Sequence, residues 1–309
     1  MSASFPTTSS LLKRSKKEFG QATFFTATDG NHGRGVAWAA NKLGQKAVVP
    51  MPKGSTQTRL NNIRKEGATL RSKNATTMNA CAWLPIWLPE LNMVSSCRIL
   101  RGTAMKKFRH GSCRDTEPWP WKPTINFMKT LRSPDSMYFI QAGVGSLAGA
   151  CSWDILSNRY PKTPPKVVVV EAEAAACLYK GAAAGDGAIR IVDGDMPTIM
   201  AGLACGEPNT ISWDILKNHV DTFVAAPDWV AAKGMRMLAA PIKGDTPVTS
   251  GESGAAPFGT LACIMCMDEY QELREHLGLD ETSRVLLFST EGDTDPTRYE
   301  SIVWDGNER

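Results

Sequence analysis

Two stretches of the chain carry apolar and polar positions at regular spacings, and the stretch between them does not. In the first, Thr23–Ala27 is a short β-prone run and Thr28–Gly35 is glycine-rich. Val36–Leu43 has helical spacing and stops at Gly44, a natural C-terminal glycine. Lys46–Met51, with Ala47, Val48 and Val49, predicts a buried strand. Ser55 is placed to cap a helix running through Arg64 and ending by Gly67. Strand, loop, helix, strand, helix in that order implies parallel pairing through helical crossovers.

The second patterned stretch begins with a strand at Met137–Gln141, a glycine loop and a helix over Gly149–Tyr160. Val167–Glu171 is four valines running into an acid, the composition of a strand buried on both faces. Helices are expected near Ile211–Asn218, Trp229–Leu238 and Ala256–Leu277, and a last strand at Val285–Ser289. No internal repeat is present. The fold class is α/β.

Composition narrows the picture. A length of 309 residues suggests one large or two modest domains, at about 150 residues each. With 42% apolar and 21% charged residues, wholesale disorder and collagen-like repeats are excluded. No run approaches the roughly 18 apolar residues of a membrane span. Met1–Gly20 carries Lys13, Arg14, Lys16 and Lys17 but no apolar core behind them, so it does not read as a secretory signal. The eight cysteines show no repeated Cys-x-x-Cys spacing and read as reduced thiols of a cytoplasmic protein, with no metal expected.

The net charge of +4 is unevenly spread. Arg71–Arg132 holds eleven Lys/Arg against three acids, which leaves 24 basic against 28 acidic residues elsewhere. It also holds four of the nine tryptophans, with Trp83, Trp87, Trp119 and Trp121 set among Pro85, Pro89, Pro118, Pro120 and Pro123. Cations and rings together suit a nucleic-acid surface, but prolines at this density break helix and strand alike and no periodicity survives. No nucleic-acid partner is expected.

Three glycine-marked loops carry candidate chemistry. Thr28–Gly35 lies between a strand and a helix, where backbone amides face a carboxylate or phosphate, and its one acid, Asp29, is a candidate general base. A glycine-rich turn capped by Asp29 fits the same letters. Gln141–Gly149 follows a strand and opens a helix, so successive amides form a nest for a phosphate. Its Gly-x-Gly-x-x-x-Gly spacing, with Glu171 downstream, also admits a dinucleotide site, and tight strand–helix packing admits no ligand at all. Phe288–Asp295 follows the last strand and offers Ser289 or Thr290 to a ring nitrogen. Ser250–Ala255 sets Glu252 among small residues, which suits a close ligand or a tight turn.

Taken together, these runs resemble the pyridoxal-phosphate enzymes of the tryptophan synthase β-like fold (fold type II), and more closely the diaminopropionate ammonia-lyases. The strings that carry the resemblance are Thr28–Gly35 with Val36–Ala40, Met51–Ser55, Gln141–Gly149, Met200–Asn209, Ser250–Ala255 and Ser289–Asp295. The resemblance implies a two-domain α/β fold with parallel sheets and flanking helices. Residues 23–74 would be a remnant of the smaller cofactor-covering domain and 136–309 the larger cofactor-binding domain; 1–22 would be a disordered or residual N-terminal segment and 75–135 an aberrant one. It implies pyridoxal 5′-phosphate as cofactor, a small amino-acid substrate, a homodimer, and α,β-elimination of 2,3-diaminopropionate to pyruvate and ammonia. Gly143, Val144, Gly145, Ser146 and Leu147 would cradle the cofactor phosphate, and Asn31 would meet the 3′-oxygen. Ser289, with Thr290 as second choice, would face the pyridine nitrogen. Glu252 would stand behind the ring, and Asp29 would act on the substrate α-proton.

The resemblance also carries two departures. The family's Schiff-base lysine sits upstream of the Asp29 loop in an Asn-Ala-Phe-Lys type segment, and no such motif precedes Asp29 here, so a chain truncated at its N-terminus with weak or absent turnover is expected. A non-catalytic binder of pyridoxal phosphate or anions is the alternative. Read one base out of register, Cys97–Arg101 can spell Gln-Asp-Thr-Ala-Trp and Phe108–Asp115 can spell Pro-Thr-Trp-Ile-Met-Gln-Gly-Tyr, both strings of the family. A frameshifted Ala75–Pro123 accounts for its charge, its tryptophans and its lost periodicity.

Overall fold

The computed structural model describes residues 20–26, 31–51, 56–72, 94–96, 136–153, 155 and 164–308. The chain divides into two compact units, Met1–Arg98 and Ile99–Arg309, each built on its own four-stranded parallel sheet.

The first unit contains strands β1 (Thr23–Phe25), β2 (Lys46–Met51), β3 (Thr69–Ser72) and β4 (Val94–Ser96), with helices α1 (Asn31–Lys42) and α2 (Gln57–Lys65). The strand order is β3-β2-β1-β4. On β2, Ala47, Val49 and Met51 are buried and alternate with more exposed neighbours. They pack with Ala37 and Ala40 of α1, Ile63 of α2 and Ala68 into one small cluster.

Three features of this unit differ from the sequence reading. Helix α1 starts at Asn31, so Gly33 and Gly35 lie inside it rather than in a loop. The first-turn amides of a helix make no intrahelical bonds, so a flexible residue costs least there, as at Gly33, while Gly35, one residue past the first turn, carries more of the ordinary helix cost. The cap of α2 is Thr56, whose side chain accepts from Arg59 N at 3.4 Å; Ser55 lies outside the described residues. Val94–Ser96, from the stretch without periodicity, pairs in parallel with Thr23–Phe25. Ladder bonds join backbone to backbone, so a short pairing needs no side-chain pattern. The rest of Ala75–Pro123 lies outside the described residues.

The second unit contains strands β5 (Ser136–Gln141), β6 (Lys166–Ala172), β7 (Thr222–Ala226) and β8 (Arg284–Leu287). Its helices are α3 (Ser146–Trp153), α4 (Cys177–Ala184), α5 (Thr210–His219), α6 (Asp228–Ala239), α7 (Glu252–Cys266), α8 (Gln271–Leu277) and α9 (Pro296–Val303). The strand order is β7-β6-β5-β8. Val167–Val170 of β6 are wholly buried, as four consecutive valines require of a strand covered on both faces. Phe139, Val168 and Val170 join Val230, Met235, Ala255, Ala256 and Ile264 in the main core. On the other side, the Tyr138 hydroxyl donates to Ser152 Oγ of α3 at 2.8 Å.

Helices α6 and α7 meet backbone to backbone. A Cβ on Gly234 would stand 2.5 Å from Ala255 O, and one on Gly259 would run into Val230 O. The single helix expected over Ala256–Leu277 is two. α7 starts at Glu252, and at Met267 the backbone turns extended (φ −111°, ψ 130°) before a 3-10 turn and α8. Strand β7 and helices α4 and α9 were not legible in the pattern. No helix of the described residues is long and apolar enough to cross a membrane.

Candidate functional site

In the second unit the chain winds from β5 through β6 to β7, then returns to place β8 on the far side of β5. β5 and β8 are therefore neighbours whose following connections leave the same end of the sheet in diverging directions, paired from Ser136↔Arg284 to Phe139↔Leu287. In open parallel sheets this reversal is where ligands bind, beyond the carboxyl ends of the strands. Two of the glycine-marked loops, Ala142–Gly145 and Phe288–Asp295, emerge there.

The first of these loops is shaped by close approach. Gly145 takes φ +86°, a left-handed conformation that glycine alone holds without strain, and a Cβ there would meet Leu216 at 3.1 Å and Leu178 at 3.3 Å. A Cβ on Gly143 would meet the backbone of Gly202 and Leu203 at 3.3–3.4 Å. Farther along, a Cβ on Gly149 would stand 2.7 Å from Ser212 Cβ, so α3 and α5 touch at that point. Helix α3 begins at Ser146, three residues before the expected start, and Gly149 lies inside it, where it packs against α5. Among the described residues, backbone bonds around the loop use the N–H of Ala142 (to Val170 O) and of Gly149 (to Gly145 O), and none uses those of Gly143, Val144, Gly145 or Ser146. Unused amides at the N-terminus of a helix, next to a left-handed residue, form an anion nest.

Asn209 fastens this loop from outside. Its N–H donates to Val144 O at 2.8 Å and its Nδ2 to Ser146 Oγ at 3.2 Å. Its Oδ1 accepts from Ile211 N and Ser212 N, capping α5.

Gln141 ties the two loops together. It is 3% exposed, and its Nε2 donates to Phe288 O at 2.9 Å and to Thr290 Oγ1 at 2.7 Å. Ser289 is exposed and shares a 2.8 Å hydrogen bond with Ser250 Oγ. Glu291 reaches from the same loop to the start of α7: its carbonyl accepts from Gly251 N and its Oε2 from Ser253 N, both at 2.9 Å. Gly251 is the N-cap of α7 and has no side chain to offer, so Glu291 supplies the cap across the fold. The small residues of Ser250–Ala255 are thereby explained. A Cβ on Gly251 would stand 2.5 Å from Gly292 O, and one on Gly254 2.9 Å from Ser250 Oγ. The run is helical from Glu252, not a turn. Glu252 is 5% exposed, with Oε1 3.2 Å from Arg298 Nε of α9.

Glu171 does not read a ribose. It is 1% exposed and accepts from Leu178 N at 2.9 Å and Tyr179 N at 2.6 Å, holding the N-terminus of α4. Burial pushes its carboxyl up to about 7, against the pull of those two amides. The dinucleotide reading loses its acid. In the first unit, Asp29 lies outside the described residues, and Asn31 is placed only as the first residue of α1. His32 is held below its ordinary pKa by burial. Among the described residues no three His, Cys, Asp or Glu come together as a metal set.

The sequence reading missed Gln141, Asn209 and Glu291 as site-building residues. Each lay within or beside a quoted string, but their partners are distant in the chain, and no local spacing signals such a contact.

Residues 6–84 and 125–289 match the family described as pyridoxal-phosphate dependent enzyme. The interval left between them falls inside the basic, proline-rich stretch. The chain is 41% identical to the diaminopropionate ammonia-lyase of Salmonella typhimurium over 315 residues, covering 94% of this chain and 72% of that one. The holo diaminopropionate ammonia-lyase of Escherichia coli superposes with a TM-score of 0.86 at 35% identity, over 96% of this chain and 74% of that one. The same Escherichia coli enzyme in complex with D-serine gives 0.85 at 34%, over the same shares.

Proposed function

The chain belongs to the pyridoxal-phosphate dependent enzymes and, among them, to the diaminopropionate ammonia-lyases, and from that premise we propose that it eliminates the β-amino group of 2,3-diaminopropionate to give pyruvate and ammonia. It is a pyridoxal 5′-phosphate-dependent carbon–nitrogen lyase acting on a small amino acid. One observation carries the reading onto this chain: the Gly143–Ser146 amides, unused in backbone bonds among the described residues, sit at the reversal of strand order beside the Phe288–Asp295 loop.

That donor set fits the cofactor. A phosphate needs several convergent N–H groups and backbone that approaches without side chains, and Gly143 and Gly145 are crowded where a Cβ would be. Gly143, Val144, Gly145, Ser146 and Leu147 would hold the phosphate. Ser289 or Thr290 would meet the pyridine nitrogen; Gln141 orients Thr290 and Ser250 orients Ser289. Glu252, restrained by Arg298, would stand behind the ring. Asn31 would bond the 3′-oxygen, and Asp29 would move the proton at the substrate Cα. The cofactor, when bound, supplies the electron sink for the charge left at Cα.

We assign 23–74 to the smaller domain, 136–309 to the larger, and 75–135 to an aberrant segment of which Ala75–Pro123 is read out of frame. The family match, which skips 85–124, supports the last. The protein is proposed to act in the cytoplasm as a homodimer. An uninterrupted messenger read in this frame across Ala75–Pro123 would end the frameshift assignment. The activity test is direct. Titrating the full chain with pyridoxal 5′-phosphate should produce saturable binding, and 2,3-diaminopropionate with water should then yield two ammonia for each pyruvate, one from the β-amino group and one from hydrolysis of the remaining imine. Binding without pyruvate would favour the non-catalytic binder, and no binding would overturn both readings.

A further inference from the structure

Asn209 is wholly buried, yet every polar group of its side chain and its backbone N–H is engaged, and all of them act on the anion loop or on the helix behind it. The Val144 carbonyl accepts from Asn209 N, so in that trans peptide the N–H of Gly145 points the opposite way, away from Asn209, and makes no backbone bond among the described residues. The Ser146 hydroxyl accepts from Asn209 Nδ2, which engages one of its lone pairs and leaves its proton to be given elsewhere. The same side chain fixes Ser212 N, and Ser212 is the residue on which Gly149 closes.

Resting on the cofactor assignment above, we propose that Asn209 is a positioning residue for phosphate binding: it sets the direction of the Val144–Gly145 peptide and fixes the Ser146 hydroxyl as a donor to the phosphate. An asparagine is needed because the position requires a donor and an acceptor at once. The acceptor caps α5 and the donor reaches Ser146. A cap alone is met equally by Asp or Ser, so selection for capping does not explain the amide.

Asn209→Asp separates the two duties. Aspartate keeps the acceptor that caps α5 and loses the donor to Ser146. Asn209→Ser keeps a capping oxygen on a side chain one bond shorter. Ser146→Ala deletes the other partner and leaves Asn209 intact. Each full-length variant is titrated with pyridoxal 5′-phosphate, with inorganic phosphate as competitor, and its Tm is recorded. Asn209→Asp and Ser146→Ala are each expected to weaken the cofactor and inorganic phosphate together by about tenfold or more, the scale of one hydrogen bond to a charged group. The double variant should be no weaker than Asn209→Asp alone, because both remove the same contact. Should Asn209→Asp fail to fold, Asn209→Ser and Ser146→Ala carry the test. Unchanged cofactor affinity in the folded variants would overturn the proposal, as would cofactor loss with phosphate competition intact. If the unsubstituted chain binds no cofactor, the family reading falls first and this one with it.

Discussion

The sheets β3-β2-β1-β4 and β7-β6-β5-β8 are wound in the same order, but they are packed by different means. In the first unit β2 buries every second residue, and the cluster it joins is small, with Ala37, Ala40, Ala47 and Ala68 among its members. In the second, β6 buries four valines in a row, and the helices over the sheet close until backbone meets backbone at Gly234 and Gly259. Glycine makes the contrast plain. Gly35 of α1 has open space where a Cβ would be, whereas Gly259 of α7 has a carbonyl oxygen there. The same letter marks a tolerated weakness in one unit and an obligatory contact in the other.

The sharpest way to test this contrast is to add the missing atoms. Gly259→Ala should destabilise the second unit by about 3 kcal/mol or more, because a backbone carbonyl cannot rotate out of the way as a side chain does. Denaturant midpoints read the loss, and a change under 1 kcal/mol, roughly the scale of an ordinary surface substitution, would break the comparison.

Acid should next pull the units apart. Glu171 is raised from 4.5 to about 7 in the folded second unit. Its neutral form is favoured by folding, so its contribution is full below pH 4.5 and is lost as pH rises through about 7. His32 is lowered from 6.5 by burial in the first unit, so its contribution is present above 6.5 and is lost as pH falls through the depressed value. Between these limits the two units should respond to acid with opposite sign, the second by up to about 3 kcal/mol. Hydrogen exchange at pH 5 and pH 7, read separately in β2 and β6, measures it. Glu171→Gln should flatten the second unit's response and leave the first unchanged. Slopes of the same sign in both units would refute the assignment.

The smallest effect runs the other way. Gly35→Ala should stabilise the first unit by about 0.5–1 kcal/mol, since the site is helical, open and free of positive φ. A neutral or negative result would place an unseen constraint on α1.

What was legible in the chain follows the same division. Val167–Glu171 and Met137–Gln141 were readable as strands because uninterrupted apolar runs have few alternatives, and both lie at the centre of the second sheet. Thr222–Ala226 was not, since its five residues are all only partly buried except Ala226 and carry no alternation. The glycine loop before α3 was found from its spacing and the strand before it, which are local signals. Glu171 was left open as the acid of a dinucleotide site, because strand composition does not reveal that α4 folds back over its end. Ser250–Ala255 was left between a ligand contact and a tight turn, and its helical start was missed, since nothing within the string indicates that Glu291 will cap it. Local chemistry was visible, and the long-range partners that shape it were not.

That borrowed cap has a consequence for where the chain tolerates being cut. Ends of chains are ordinarily the most dispensable parts. Here a stop placed just before Glu291 would strip the first turn of α7 of an acceptor that lies 38 residues later in the chain. The damage would surface in the middle of the second unit, against β5 and α6, and a protease nick near the C-terminus would be felt there too.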